Sequence, residues 1–170
     1  MNGHVIISHG LQSSPEANKA TAIARVAQSM GFTVDIPDYR DLDAASELGD
    51  VLARIQRLRS ICVGHQRLVL AGSSMGAFIS ARVSLQVDVA GLFLMAPPTQ
   101  LKGYDIRLEA ASVPTCIVHG WHDELIPAGE VVRWAQARSD QLLLVDDSHR
   151  LAAHVDFCAE EFGRFVQGLV

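Results

Sequence analysis

Six short apolar runs alternate with longer stretches of helical period, and this alternation most limits the folds open to the chain. The runs fall at 5–8, 32–36, 68–71, 90–95, 115–119 and 141–145. They are rich in Val, Ile and Leu and largely continuous in polarity, as strands covered on both faces are. Helices are predicted near 15–30, 44–60, 75–85, 128–138 and 151–169. A strand that returns to its sheet through a helix does so in parallel and with a right-handed crossover. The expected fold class is therefore α/β. It is a three-layer, doubly wound sheet of about six mostly parallel strands in the order 2-1-3-4-5-6, built as one domain over 1–170.

Local chemistry sets the expected boundaries. Ser14 can cap the first helix with Pro15 at its first position, and Gly31 can end it. Leu48, Val51, Leu52, Ile55 and Leu58 repeat at three- and four-residue steps, which predicts one buried stripe on the second helix. On the same helix, Arg54, Arg57 and Arg59 read as a solvated face. Leu151, Val155, Cys158, Phe162, Phe165 and Leu169 form the equivalent stripe on the last helix.

Composition removes several classes of function. Hydrophobic residues make up 49% and charged residues 19%, which argues for a packed globular chain and against disorder. The net charge of −5 leaves no electrostatic footprint for nucleic acid. The first strand at 4–7 is too short for a signal core, and no run approaches about 18 apolar residues. No membrane partner is expected, and a cytoplasmic location follows by default. Cys62, Cys116 and Cys158 are odd in number and lack C-x-x-C spacing, so they read as buried, inert thiols.

Gly72-Ser73-Ser74-Met75-Gly76 follows the third apolar run and opens a helical segment. Strand, sharp turn and helix are the setting in which G-x-S-x-G lifts a serine hydroxyl above a sheet. A nucleophilic serine needs an adjacent base oriented by a third group. His149, in the loop after the sixth strand, is the leading base, with His65, His119, His122 and His154 as weaker alternatives. Asp123, just past the fifth strand, is the leading acid, and Asp146 and Asp147 remain alternatives. All three leading groups sit at the carboxyl edge of the sheet, where ligands collect in open α/β folds. The backbone N–H of Met75 is the expected first oxyanion donor. Leu11, after His9-Gly10, supplies the second, with Gln12 as fallback. Gln12, Tyr39 and Trp121 are expected to contact substrate, and Tyr104 is a further candidate for the pocket wall.

With these residues in place the chain resembles a small member of the α/β-hydrolase superfamily, close to lidless bacterial esterases and the dienelactone-hydrolase-like group. The matching pieces are Ser8-His9-Gly10 with Ser13-Ser14-Pro15, Pro37-Asp38-Tyr39-Arg40, Gly72-Ser73-Ser74-Met75-Gly76, His119-Gly120-x-x-Asp123 with Ile126-Pro127, and Ser148-His149-Arg150-Leu151. Dienelactone hydrolases proper use a cysteine where this chain has Ser74, and the superfamily's first hairpin has no counterpart here. The resemblance implies a minimal fold without a lid domain and acyl transfer to water through an acyl-enzyme. No metal or cofactor is expected. The partner is a small-molecule ester or thioester, and a homodimer is possible. Two other readings stay open: a hydrolase-fold binding protein with an idle triad, and a flavodoxin-like module. The second lacks any G-x-G-x-x-G or P-loop to hold phosphate.

Overall fold

The computed structural model describes residues 2–169. Six strands, β1 (His4–Ser8), β2 (Thr33–Asp35), β3 (Leu68–Ser73), β4 (Gly91–Met95), β5 (Thr115–Gly120) and β6 (Gln141–Val145), form one sheet. Its order is β2-β1-β3-β4-β5-β6, and every neighbouring pair is parallel. The chain runs outward in one direction from β1 to β2, then crosses back to β3 and proceeds the other way. The direction switches between β1 and β3, as the alternation predicts, and open α/β folds bind their ligands at the carboxyl ends of the strands at such a switch.

Alternate residues of the strands feed two separate cores, because successive side chains point to opposite faces. Ile6, Leu70, Leu92, Leu94 and Ile117 pack against α3 (Val51–Cys62), α4 (Met75–Ser84) and α5 (Ala128–Arg138). Val5, Ile7, Val69, Phe93 and Val118 pack against α1 (Asn18–Ser29) and α6 (Val155–Gln167). All three cysteines are buried free thiols, and burial raises them to about 11 for Cys62, 12 for Cys116 and 11 for Cys158. Among the described residues, no helix is long and apolar enough to cross a membrane.

Several element boundaries differ from expectation. Ser14 and Pro15 do not open α1. The Ser14 carbonyl accepts from Ala17 N–H at 3.1 Å, so Pro15 occupies a turn and the helix begins at Asn18. The second helix, expected over 44–60, begins only at Val51 as α3; a separate short helix, α2 (Arg40–Ala44), precedes it, with Gly49 at φ +69° between the two. Asp50 then starts α3 by accepting from Ala53 N–H at 3.0 Å. Leu48, in the turn before α3, is 39% exposed and Leu52, on α3, is 59% exposed, so neither joins the buried stripe. Arg54 is the reverse case: it was expected in solvent and is fully buried. Leu151 lies outside the last helix at φ +52°, followed by a 3-10 turn at Ala152–His154 and then α6.

Candidate active site

The tight elbow between β3 and α4 places Ser74 at φ +53°, ψ −117°, a region a non-glycine residue occupies only under strain, costing about 1–3 kcal/mol. Surrounding contacts hold it there. Ser74 N–H donates to Met95 O at 2.8 Å. A Cβ on Gly72 would lie 2.3 Å from the Gly76 backbone, and one on Gly76 would lie 1.9 Å from Ser8 O. Only glycine lets the turn close and the helix start press onto the end of β1.

Two further loops bring their side chains to the serine. Ser74 Oγ lies 2.9 Å from His149 Nε2, and His149 Nδ1 lies 2.7 Å from Asp123 Oδ2. The Asp123 side chain is fully buried, and its other oxygen accepts Leu125 N–H at 2.9 Å and Ile126 N–H at 2.8 Å. Those two donors fix the carboxylate's rotamer. His149 N–H donates to Glu124 Oε2 at 3.1 Å, which ties the β6 loop to the β5 loop. With Nδ1–H committed to Asp123, the lone pair on Nε2 faces the serine hydroxyl.

The weaker candidates have other partners. His65 stacks on His4 with ring centroids 3.7 Å apart, at the opposite end of the strands. His119 is fully buried, bonds Ile126 O through Nε2 at 2.9 Å and also lies 3.4 Å from Asp123 Oδ2, behind the acid; burial lowers its pKa. His122 pairs with Asp146 in solvent at 3.0 Å. His154 bonds Asp147 at 2.8 Å, and Asp147 also accepts Ser148 N–H and Ala153 N–H, so it organises its own loop.

The loop after β1 runs beside the elbow: a Cβ on Gly10 would lie 3.7 Å from Ser74 Cβ. Gln12 N–H is bound to Asp43 Oδ2 at 3.0 Å, which removes it as the fallback oxyanion donor. Among the described residues, the N–H groups of Leu11 and Met75 donate to no protein acceptor. A Cβ on Gly49 would touch both side chains, at 2.7 Å for Leu11 Cδ1 and 3.8 Å for Met75 Cε, so the two lie side by side. His9 is buried beneath the loop; its Nδ1–H donates to Gly10 O at 2.8 Å and its Nε2 accepts Tyr39 N–H at 3.0 Å.

Tyr39 is closed off from any substrate. It is fully buried, its hydroxyl is 2.9 Å from Ser8 Oγ, and burial raises it to about 12. Trp121 is 56% and Leu125 65% exposed, on either side of Asp123 in sequence, and the Gln12 side chain is exposed. Tyr104 is tied back by donating to Gly49 O at 2.7 Å. The segment between β4 and β5 contains no helix, only an isolated bridge between Gln100 and Arg107, so nothing in it caps the serine as a helical lid would.

An all-parallel sheet in this order, with a strained serine elbow at its switch point, defines a protein of the α/β-hydrolase superfamily. Residues 4–106 match the uncharacterised protein family UPF0227, and the chain belongs to that family. It is 52% identical to a Xanthomonas campestris protein whose description assigns it to the alpha/beta hydrolase superfamily. That alignment covers 98% of this chain and 99% of the other, with a TM-score of 0.93. Est1E from Butyrivibrio proteoclasticus shares the fold at 16% identity and TM-score 0.78, over 98% of this chain and 87% of its own. A serine hydrolase without a lid from Xanthomonas campestris does so at 21% identity and TM-score 0.70, over 96% and 81%. No protein of curated function matches the chain in sequence.

Proposed function

We propose that this chain is a serine hydrolase that cleaves small carboxylic esters or thioesters through an acyl-enzyme. The observation that carries this reading is the unbroken hydrogen-bonded line from Ser74 Oγ through the His149 ring to Asp123, at 2.9 and 2.7 Å. In this reading Ser74 Oγ attacks the carbonyl carbon while its proton passes to His149 Nε2. Asp123 holds the imidazole in the Nδ1–H tautomer and stabilises the imidazolium as it forms. The N–H groups of Leu11 and Met75 receive the negative charge that develops on the carbonyl oxygen. His149 then protonates the departing alkoxide or thiolate. Water, deprotonated by His149, attacks the acyl-enzyme and regenerates Ser74.

The lack of a helical lid between β4 and β5 favours short acyl groups over long chains that need enclosure. A chain-length series of p-nitrophenyl esters tests the proposal. Turnover should be highest for short acyl groups, and Ser74→Ala should lose on the order of 10³-fold or more in kcat. Turnover in Ser74→Ala close to that of the wild type would end the proposal.

A further inference from the structure

Beneath the loop that carries Leu11 lies a fully buried arginine that the reaction scheme does not use. Arg54, near the start of α3, bonds Asp43 of α2 through Nε at 3.0 Å and Nη2 at 2.7 and 2.8 Å. Two further N–H groups reach the loop after β1: Nη1–H donates to His9 O at 2.9 Å and Nη2–H to Gly10 O at 3.1 Å. Asp43 Oδ2 meanwhile takes Gln12 N–H at 3.0 Å. One ion pair thus grips three residues of the loop, 9, 10 and 12, on either side of Leu11.

We infer that Arg54 and Asp43 are positioning residues that aim the Leu11 N–H at the developing oxyanion; this rests on the serine-hydrolase reading above. The reasoning is geometric. In a trans peptide the carbonyl and the following N–H point in opposite directions. Gly10 O is drawn down by Arg54 Nη2, by His9 Nδ1 and by Ser13 N–H at 3.3 Å, so the Leu11 N–H on the same peptide plane is turned away from all three. Asp43 fixes the next peptide by holding Gln12 N–H, so of the two neighbouring donors only Leu11 is left free. Tyr39 closes the back of the assembly, with its ring 4.5 Å from the Arg54 guanidinium and its N–H on His9 Nε2. A buried charge pair is a poor source of stability compared with apolar packing. A preorganised donor needs a rigid support at the moment charge develops, and a planar five-donor fork can brace two carbonyls and a carboxylate together.

The test uses Arg54→Met, which deletes the fork, and Asp43→Asn, which preserves shape and frees Gln12 N–H from a charged acceptor. Each is assayed for kcat and KM on a short p-nitrophenyl ester and for inhibition by a trifluoromethyl ketone, which forms an oxyanion adduct on the serine. Losing one oxyanion donor outright costs roughly 10²–10³-fold in kcat, so a displaced donor should cost about 10–100-fold. The expected result is that fall in kcat with KM changed less than about 3-fold, and ketone affinity weakened by the same factor as kcat. Should Arg54→Met fail to fold, Asp43→Asn decides alone. A folded variant with wild-type kcat and ketone affinity overturns the inference. So does one that is merely less heat-stable while its ketone affinity is unchanged. Wild-type protein that neither turns over ester nor binds the ketone would instead strike the serine-hydrolase reading, so the two failures are distinguishable.

Discussion

At the scale of single residues, the site depends on which proton each group holds. Asp123 accepts two backbone N–H groups through one oxygen and His149 Nδ1–H through the other. Asp123→Asn keeps an acceptor for the backbone but can place its NH2 against Nδ1, which favours the wrong imidazole tautomer. We predict a loss of about 10³–10⁴-fold in kcat with thermal stability nearly unchanged, read by ester assay and calorimetry. His9 makes a different prediction. Burial lowers its pKa below the ordinary 6.5, and Nε2 must stay unprotonated to accept Tyr39 N–H. Burial also lowers His119. The folded chain therefore refuses protons that the unfolded chain takes below pH 6.5. Their contribution to stability is fully present above that pH and is lost as the pH falls below it. The thermal midpoint should drop between pH 7 and pH 5, and His9→Asn, which lacks a titrating ring, should reduce that dependence.

At the scale of elements, the elbow and the end of β1 are built against each other. A methyl group on Gly76 would meet Ser8 O at 1.9 Å and His9 O at 2.8 Å, both backbone atoms that cannot swing aside. Gly76→Ala should destabilise the fold by more than about 3 kcal/mol in urea unfolding, or abolish the soluble product. This scale also separates what the sequence made legible from what it did not. The strands were readable because each is a short apolar run between turn residues, and residues 74, 123 and 149 each sit just beyond one. Strand ends fix position closely, so topology alone gathers those three loops on one edge. Arg54 was unreadable for the opposite reason. Arginine on a helix reads as solvated, and its burial depends on acceptors 44 and 45 residues away in sequence. The break between α2 and α3 had a local signal, Gly49 followed by the capping Asp50, which the run of three- and four-residue spacings hid. Pro15 was ambiguous by nature, since its fixed φ suits both a helix start and the second position of a turn.

At the scale of the whole molecule, six parallel strands and two cores serve one edge. The switch between β1 and β3 sets the loop after β1 beside the elbow, β3 delivers the serine, and the loops after β5 and β6 deliver the carboxylate and the imidazole. The same fold extends over nearly the full length of a 52% identical Xanthomonas campestris protein described as an alpha/beta hydrolase, which places this chain in a hydrolase superfamily. The claim particular to the chain is that its edge is chemically live. Fluorophosphonate labelling with peptide mapping measures this most directly, because the reagent needs both an activated hydroxyl and an oxyanion pocket. The account predicts rapid modification of the wild type at Ser74 alone, and none in Ser74→Ala. Folded wild-type protein that stays unlabelled, or that carries its label on another residue, would contradict it.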